Sequence, residues 1–178
     1  MNAPDLLIAP LADSDVPALV SLARDTWRRH YPSIITEAQI EYMLAQRYDE
    51  TAIRAQIGLP DTWWDVLKQD GTLAGFAQYE RSGADAIKLD KIYVGYDQRG
   101  RGLGSLLLQH VENEARAKGA RRLYLQVNRN NASAIGAYRK NGFEVAREVV
   151  VDIGGGFVMD DYVMEKALAP LPAGRAPA

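Results

Sequence analysis

The sequence predicts a single α/β domain of the α+β type, a mixed sheet of six to seven strands with helices on its faces. Three observations carry this. Strand-like and helix-like apolar runs follow one another in the order β, helices, three strands, α, β, α, β, β, with no internal repeat. An Asp-Gly pair, Asp70-Gly71, sits between two strand-like runs and marks a hairpin. A glycine-rich turn, Arg99-Gly100-Arg101-Gly102-Leu103-Gly104, joins a strand-like run over 87–94 to a helix-like run over 105–118.

Each element has a local reason. Leu6-Leu7-Ile8-Ala9 reads as a first strand closed by Pro10. Ser14 is placed to cap a helix that tolerates Pro17 in its first turn, with Leu19, Leu22, Ala23, Thr26 and Trp27 on one face. Tyr31-Pro32 stops it, because a residue before proline disfavours the α region. Thr36 and Gln39 have capping-box spacing, which predicts a second helix burying Ile40, Met43 and Leu44. A short third helix over 50–57 ends at Gly58. Strands follow over 63–67, 73–79 and 87–94. The helix from Ser105 carries Leu107, Val111 and Ala115 at four-residue spacing in register with Leu103, and Gly119 ends it. Leu123, Leu125 and Val127 alternate as a strand, a helix runs over 132–141 to Gly142, and strands over 149–151 and 157–165 flank Gly154-Gly155-Gly156. The domain is expected over 1–166, with an Ala/Pro-rich disordered tail over 167–178.

Composition excludes several classes of function. A net charge of −2 argues against a dedicated nucleic-acid binder. The chain has no cysteine, hence no thiolate nucleophile and no cysteine-ligated zinc, and its two histidines, His30 and His110, are far apart, so no metal site is expected. No apolar run approaches the roughly 18 residues of a membrane span, and the N-terminus lacks a secretory leader, so the expected location is the cytoplasm, away from membranes. His110, in mid-helix, is expected at the surface.

The glycine turn feeds a helix N-terminus, whose unsatisfied N–H groups and positive dipole end suit phosphate, with Arg99 and Arg101 adding charge. In the preceding strand Ile87 and Leu89 share one parity and Ile92 and Val94 the other. A switch of this kind marks a β-bulge, which frees backbone N–H groups to hold a carbonyl oxygen; the alternative is a regular edge strand from which Lys91 snorkels.

These residues resemble motif A of the GNAT superfamily of N-acetyltransferases, Gln/Arg-x-x-Gly-x-Gly/Ala, matched in full by Arg99 to Gly104. The stretch from Asn131 through Ala134, Tyr138, Lys140 and Gly142 to Phe143 is similar to a second signature, Asn-x-x-Ala-x-x-x-Tyr-x-Lys-x-Gly-Phe. The detailed match covers 89–143. The resemblance implies the GNAT fold, with a twisted, mostly antiparallel sheet, and acetyl-CoA as co-substrate without a metal. It implies that Ile92, Tyr93 and Val94 offer main-chain groups to the pantetheine arm and acetyl carbonyl. Arg99, Gly100, Arg101, Gly102, Leu103, Gly104 and Ser105 would cradle the pyrophosphate, and Asn131 would contact the cofactor near the thiol. Tyr138 would protonate the departing thiolate; the phenol's ordinary pKa near 10 leaves it protonated at neutral pH, although a helical tyrosine can equally be a packing residue.

The base that deprotonates the amine stays open. The glutamate that many relatives carry on the strand before the turn is replaced here by Lys88. Asp90, Glu80, Asp160 and Asp161 are candidates, with Asp90 and Asp161 foremost, because adjacent aspartates on a strand face opposite ways. His30 is either a base or a helix-end cation interacting with the dipole. Trp27, His30 and Tyr31 stand in the segment where the family varies and are expected to contact the acceptor, the alternative for the aromatics being core packing. The expected reaction is acetylation of a primary amine on a small cationic molecule, a polyamine or amino-acid-like amine. Acetylation of a protein or peptide N-terminus or lysine, and a non-catalytic CoA-binding regulatory module, are the alternatives; a homodimer is expected as a possibility of the family. A dinucleotide dehydrogenase fails because Ser105 stands where G-x-G-x-x-G needs its third glycine.

Overall fold

The computed structural model describes residues 4–170. Its elements in chain order are β1 (Leu6–Pro10), α1 (Val16–His30), α2 (Glu37–Arg47), α3 (Glu50–Gln56), β2 (Thr62–Gln69), β3 (Thr72–Arg81), β4 (Ala86–Val94), α4 (Leu103–Ala117), β5 (Arg122–Asn128), α5 (Ala132–Lys140), β6 (Glu144–Gly154) and β7 (Phe157–Ala167). The seven strands form one sheet in the order β1-β2-β3-β4-β5-β7-β6. Every neighbouring pair is antiparallel except β4 and β5, which run parallel across the α4 crossover.

Helices cover both faces of the sheet. One core packs Leu103, Leu107, Val111 and Ala115 of α4 and Ile135 of α5 against Ile87, Leu89, Leu123 and Leu125 of the central strands. The other packs Leu19, Ala23 and Trp27 of α1, Ile40, Met43 and Leu44 of α2 and Ile53 of α3 against Val66 and Phe76. A fully buried side chain such as Leu107 contributes about 2–3 kcal/mol relative to exposure. The β2–β3 hairpin turns through Asp70 (φ 50°) and Gly71 (φ 78°), the left-handed pair that its sequence requires.

Several local expectations are corrected. Ser14 lies in a short 3₁₀ turn, and Asp15, not Ser14, occupies the cap position of α1, with no side-chain cap bond. Thr36 does cap α2, accepting from the Gln39 N–H at 3.2 Å, but the Gln39 side chain leaves the box and donates to the Val158 carbonyl on β7. Helix α4 begins at Leu103 rather than Ser105, because Gly102 takes φ 79° and turns the chain directly into it. His110, expected at the surface, is half-buried: its Nε2 lies 2.8 Å from an Asp65 oxygen that also accepts the Tyr79 hydroxyl at 2.7 Å. Packing passes the boundary expected at 166, since β7 reaches Ala167 and Leu168 is buried; residues 171–178, the rest of the expected tail, lie outside the described residues. No described helix is long and apolar enough to cross a membrane.

Candidate active site

Two breaks in the sheet create the site. Gln78 of β3 opposes Lys91, whereas Tyr79 opposes Leu89, so Asp90 is the extra residue of a β-bulge. The parity switch between Leu89 and Ile92 thus has the structural cause expected of it. Pairing of β4 with β5 also stops at Leu89 opposite Leu125, while β5 continues against β7 as far as Asn128 opposite Asp161. Beyond Leu89 the two parallel strands separate and open a cleft of about 980 Å³, within the range of small-molecule sites.

At one end of the cleft lies the glycine turn. Gly100 (φ 76°) and Gly102 (φ 79°) are left-handed, and a Cβ at either would meet nothing within 4 Å. Conformation, not crowding, demands glycine, and the surrounding space is free for a ligand. No side chain caps α4, which leaves the N–H groups of its first turn (Leu103, Gly104, Ser105) directed towards that space. Arg99 lines the same end, whereas Arg101 turns back to Gln98 and is not among the lining residues. These features fit a diphosphate.

In the middle of the cleft, α5 supplies Asn131 and Tyr138. The buried Asn131 caps its own helix, its Oδ1 accepting from the Ala134 N–H at 3.4 Å and the Ser133 hydroxyl at 3.3 Å. Tyr138 lines the cleft, and burial raises its phenol above the ordinary value, so it stays protonated at neutral pH. His30 joins the two family motifs, Nε2 lying 3.1 Å from Asn131 Oδ1 and Nδ1 3.0 Å from an Arg99 nitrogen. Burial and the Arg99 charge lower the imidazole's pKa. With both nitrogens engaged, His30 holds the cleft wall together rather than offering a free base or a helix-end cation.

The far end brings together residues from the first third and the last fifth of the chain. Tyr31 lines it, its hydroxyl 3.2 Å from that of Tyr93. Trp27, expected to contact the acceptor, is among the residues lining the cleft but is only 3% exposed and packs against Tyr31, ring centroids 4.4 Å apart and tilted by 31°, so that most of it belongs to the core, as the helical spacing of its face allows. Tyr93 likewise turns its ring into that core, against Trp27 and Phe76. The two expected bases part company here. Asp90 receives Lys91 at 2.5 Å, Arg47 at 2.9 Å and Lys88 at 2.9 Å. Burial pushes its carboxyl up, but the three cations outweigh this and hold it well below the usual range, which makes it a poor base. Asp161 is 1% exposed, and neither oxygen has a partner among the described residues. Burial, with a smaller push from Asp160, raises it to about 6 against the opposing influence of Arg47. Asp160 faces away and pairs with Arg129 at 2.9 Å, and Glu80 is not among the cleft residues.

Sequence reasoning passed over Arg47, Gln39 and Met43 of α2, and Val151, Ile153 and Met159 of the β6–β7 hairpin, all of which line this end. The hairpin is fastened onto α2 by Gln39 Nε2 to the Val158 carbonyl and by the Tyr42 hydroxyl to the Ile153 carbonyl, both 2.8 Å. A basic residue in the last turn of a helix reads as a dipole partner, so nothing local to Arg47 marked it as a cleft residue.

Comparison with known proteins agrees with this geometry. A family model described as "Acetyltransferase (GNAT) family" matches residues 18–143, well over half of the chain. A spermidine N(1)-acetyltransferase of Thermoplasma acidophilum is 28% identical over 163 residues, covering 89% of this chain and 95% of the relative. The crystal structure of the PaiA N-acetyltransferase from the same organism, in complex with coenzyme A, superposes with a TM-score of 0.77 at 28% identity, covering 92% of this chain and 99% of that one. The ribosomal-protein-S18-alanine N-acetyltransferase of Escherichia coli shares the fold, with a TM-score of 0.69, 23% identity and coverage of 97% and 99%. With the bulge, the glycine turn and the α5 signature gathered on one cleft, the chain belongs to the GNAT family of acetyltransferases.

Proposed function

We propose that the protein acetylates a small primary amine by direct attack, with Asp161 receiving the proton of the amine and Tyr138 giving one to the leaving sulfur. The observation that carries this is the presence of an unpartnered carboxylate, Asp161, and a partly buried phenol, Tyr138, on the cleft that also holds the glycine turn.

Acetyl-CoA, when bound, supplies the acetyl thioester. Gly100, Gly102 and the first turn of α4 hold its diphosphate, with Arg99 adding charge. Past the bulge, the β4 edge facing the cleft has no β5 partner, and its N–H groups stabilise negative charge on the carbonyl oxygen. Asp161, poised near 6, is ionised at neutral pH and takes the ammonium proton, so that nitrogen gains a carbon bond as it loses hydrogen. Tyr138 keeps its proton until the carbon–sulfur bond breaks and then delivers it to sulfur. The ammonium sheds two protons in all: Asp161 takes the first and passes it to solvent, and the second, lost from nitrogen as the carbon–sulfur bond breaks, replaces the one Tyr138 gave to sulfur, so acetylated amine, free thiol and one released proton result.

The β6–β7 hairpin, fastened onto α2 over the amine end, supports a small acceptor rather than a protein N-terminus. Similarity to a relative named for spermidine supports the same class. The test is thiol release from acetyl-CoA across a panel of primary amines. Tyr138→Phe is expected to lower kcat about 100-fold, the usual worth of a proton donor, while CoA affinity measured by calorimetry changes less than about threefold. A variant as fast as the wild type removes Tyr138 from this role.

A further inference from the structure

Three cations meet a single carboxylate at the amine end. Arg47, Lys88 and Lys91 converge on the one Asp90 carboxylate, which neutralises Asp90 and leaves cationic charge over. Arg47 and Lys88 keep part of their side chains exposed and line the cleft. Asp161 lines the same end with both oxygens unpartnered, and no ion pair joins it to Arg47 among the described residues, although each falls within the other's field. Two opposite charges therefore share one chamber without meeting.

A buried carboxylate without a donor is energetically uphill and is relieved by a ligand's cation. A guanidinium already sharing its carboxylate with two lysines can still accept a second anion through its planar fork. Resting on the amine-acetylation reading above, we infer that the acceptor is an amino acid or a close analogue, its amine directed to Asp161 and its own carboxylate held by Arg47, with Lys88 reinforcing the anion end. A polyamine places further positive charge against Arg47 and Lys88, and like charges at this range repel. The pairing separates this chain from what similarity to a spermidine enzyme would suggest.

The experiment compares acceptors that share a skeleton: α- and ω-amino acids, their carboxamides, the decarboxylated amines, and spermidine. Two readouts are taken, kcat/KM with acetyl-CoA and calorimetric affinity for the CoA-loaded protein. The amino acids are expected to exceed their carboxamides at least about tenfold in both, with spermidine below the amino acids. Arg47→Gln is expected to bring the acid-to-amide ratio close to one. Should that variant melt far below the wild type, Arg47→Lys, which keeps the charge and loses the fork, is expected to lower the ratio at least about threefold. A carboxamide or spermidine equal to the acid overturns the inference, as does an unchanged ratio in a well-folded Arg47 variant. If no amine is acetylated yet the acids still bind more tightly than the amides, the transfer reading fails and the anion site stands.

Discussion

Asp90 and Lys91 are neighbours in sequence, yet their charged groups meet at 2.5 Å on the same face of β4. In a regular strand adjacent side chains point to opposite faces, so this ion pair exists only because Asp90 is the extra residue of the bulge. Asp90 reaches Arg47 of α2, and the Lys91 ammonium lies 5.3 Å from the Trp64 ring centre on that same side. The irregularity that frees the β4 edge for a ligand thus also builds the cationic cluster above it.

Removing the charge of Asp90 should destabilise the protein. Asp90→Asn leaves Lys91, 9% exposed, and Arg47 without their shared carboxylate, a loss of about 3–5 kcal/mol by analogy with other broken buried pairs. The folded-state carboxyl lies below its unfolded value, so its contribution is present above about pH 4 and is lost as pH falls further. Urea unfolding at pH 7 and pH 2.5 should show a large wild-type advantage that narrows at the lower pH. An equal gap at both would mean that Asp90 acts through packing rather than charge.

Removing the charge of Asp161 should do the reverse. Burial raises its carboxyl to about 6, with Asp160 adding to and Arg47 opposing the shift. A raised carboxyl favours the folded state below the unfolded value near 4, and this is lost as pH rises through 6. Asp161→Asn is therefore expected to be more stable than the wild type at pH 7 by about 1–3 kcal/mol, with the difference vanishing near pH 4. In wild-type enzyme kcat/KM should fall as pH drops through 6, and the variant, slower by about 100-fold, should lack that limb. A pH profile that survives the substitution would move the base elsewhere.

The hairpin roof offers a third test. Gly154 sits at φ 87°, and a Cβ there would stand 2.5 Å from the Tyr42 hydroxyl oxygen. Gly154→Ala combines backbone strain with displacement of Tyr42, and a cost of about 1–3 kcal/mol is expected. KM for the amine should rise severalfold while CoA affinity is kept, since the turn at Gly100 and Gly102 lies at the other end of the cleft. An unaltered KM would show that the Tyr42 bond does not shape the acceptor end.

The half of the cleft proposed to take the acetyl donor was largely legible in the sequence, because its signals are local. Glycines in Arg99-Gly100-Arg101-Gly102-Leu103-Gly104 report backbone conformation directly, and the shift in apolar parity from Leu89 to Ile92 reports the bulge. The acceptor half was less so, because its residues meet only through long-range packing. Asp161 was visible as one of an adjacent pair that had to face opposite ways, but its burial without a partner depends on which side chains other elements bring against it. Asp90 looked equally apt as a base until Arg47, 43 residues earlier, came into place beside it. Gln39 had the correct spacing for a capping box, yet the strand crossing above offered its amide a better-placed carbonyl at Val158.

The bonds that fasten the hairpin to α2 also separate the molecule into two inheritances. The residues proposed to grip the acetyl donor lie on β4, the glycine turn, α4 and α5, whereas most of the wall proposed to face the amine comes from α1, α2 and β6–β7, joined by Gln39 to Val158 and Tyr42 to Ile153. Substitutions that retune the wall need not disturb the grip. Exchanging α2 together with the β6–β7 tip, as a matched set, is therefore the smallest graft that could hand this scaffold a new acceptor.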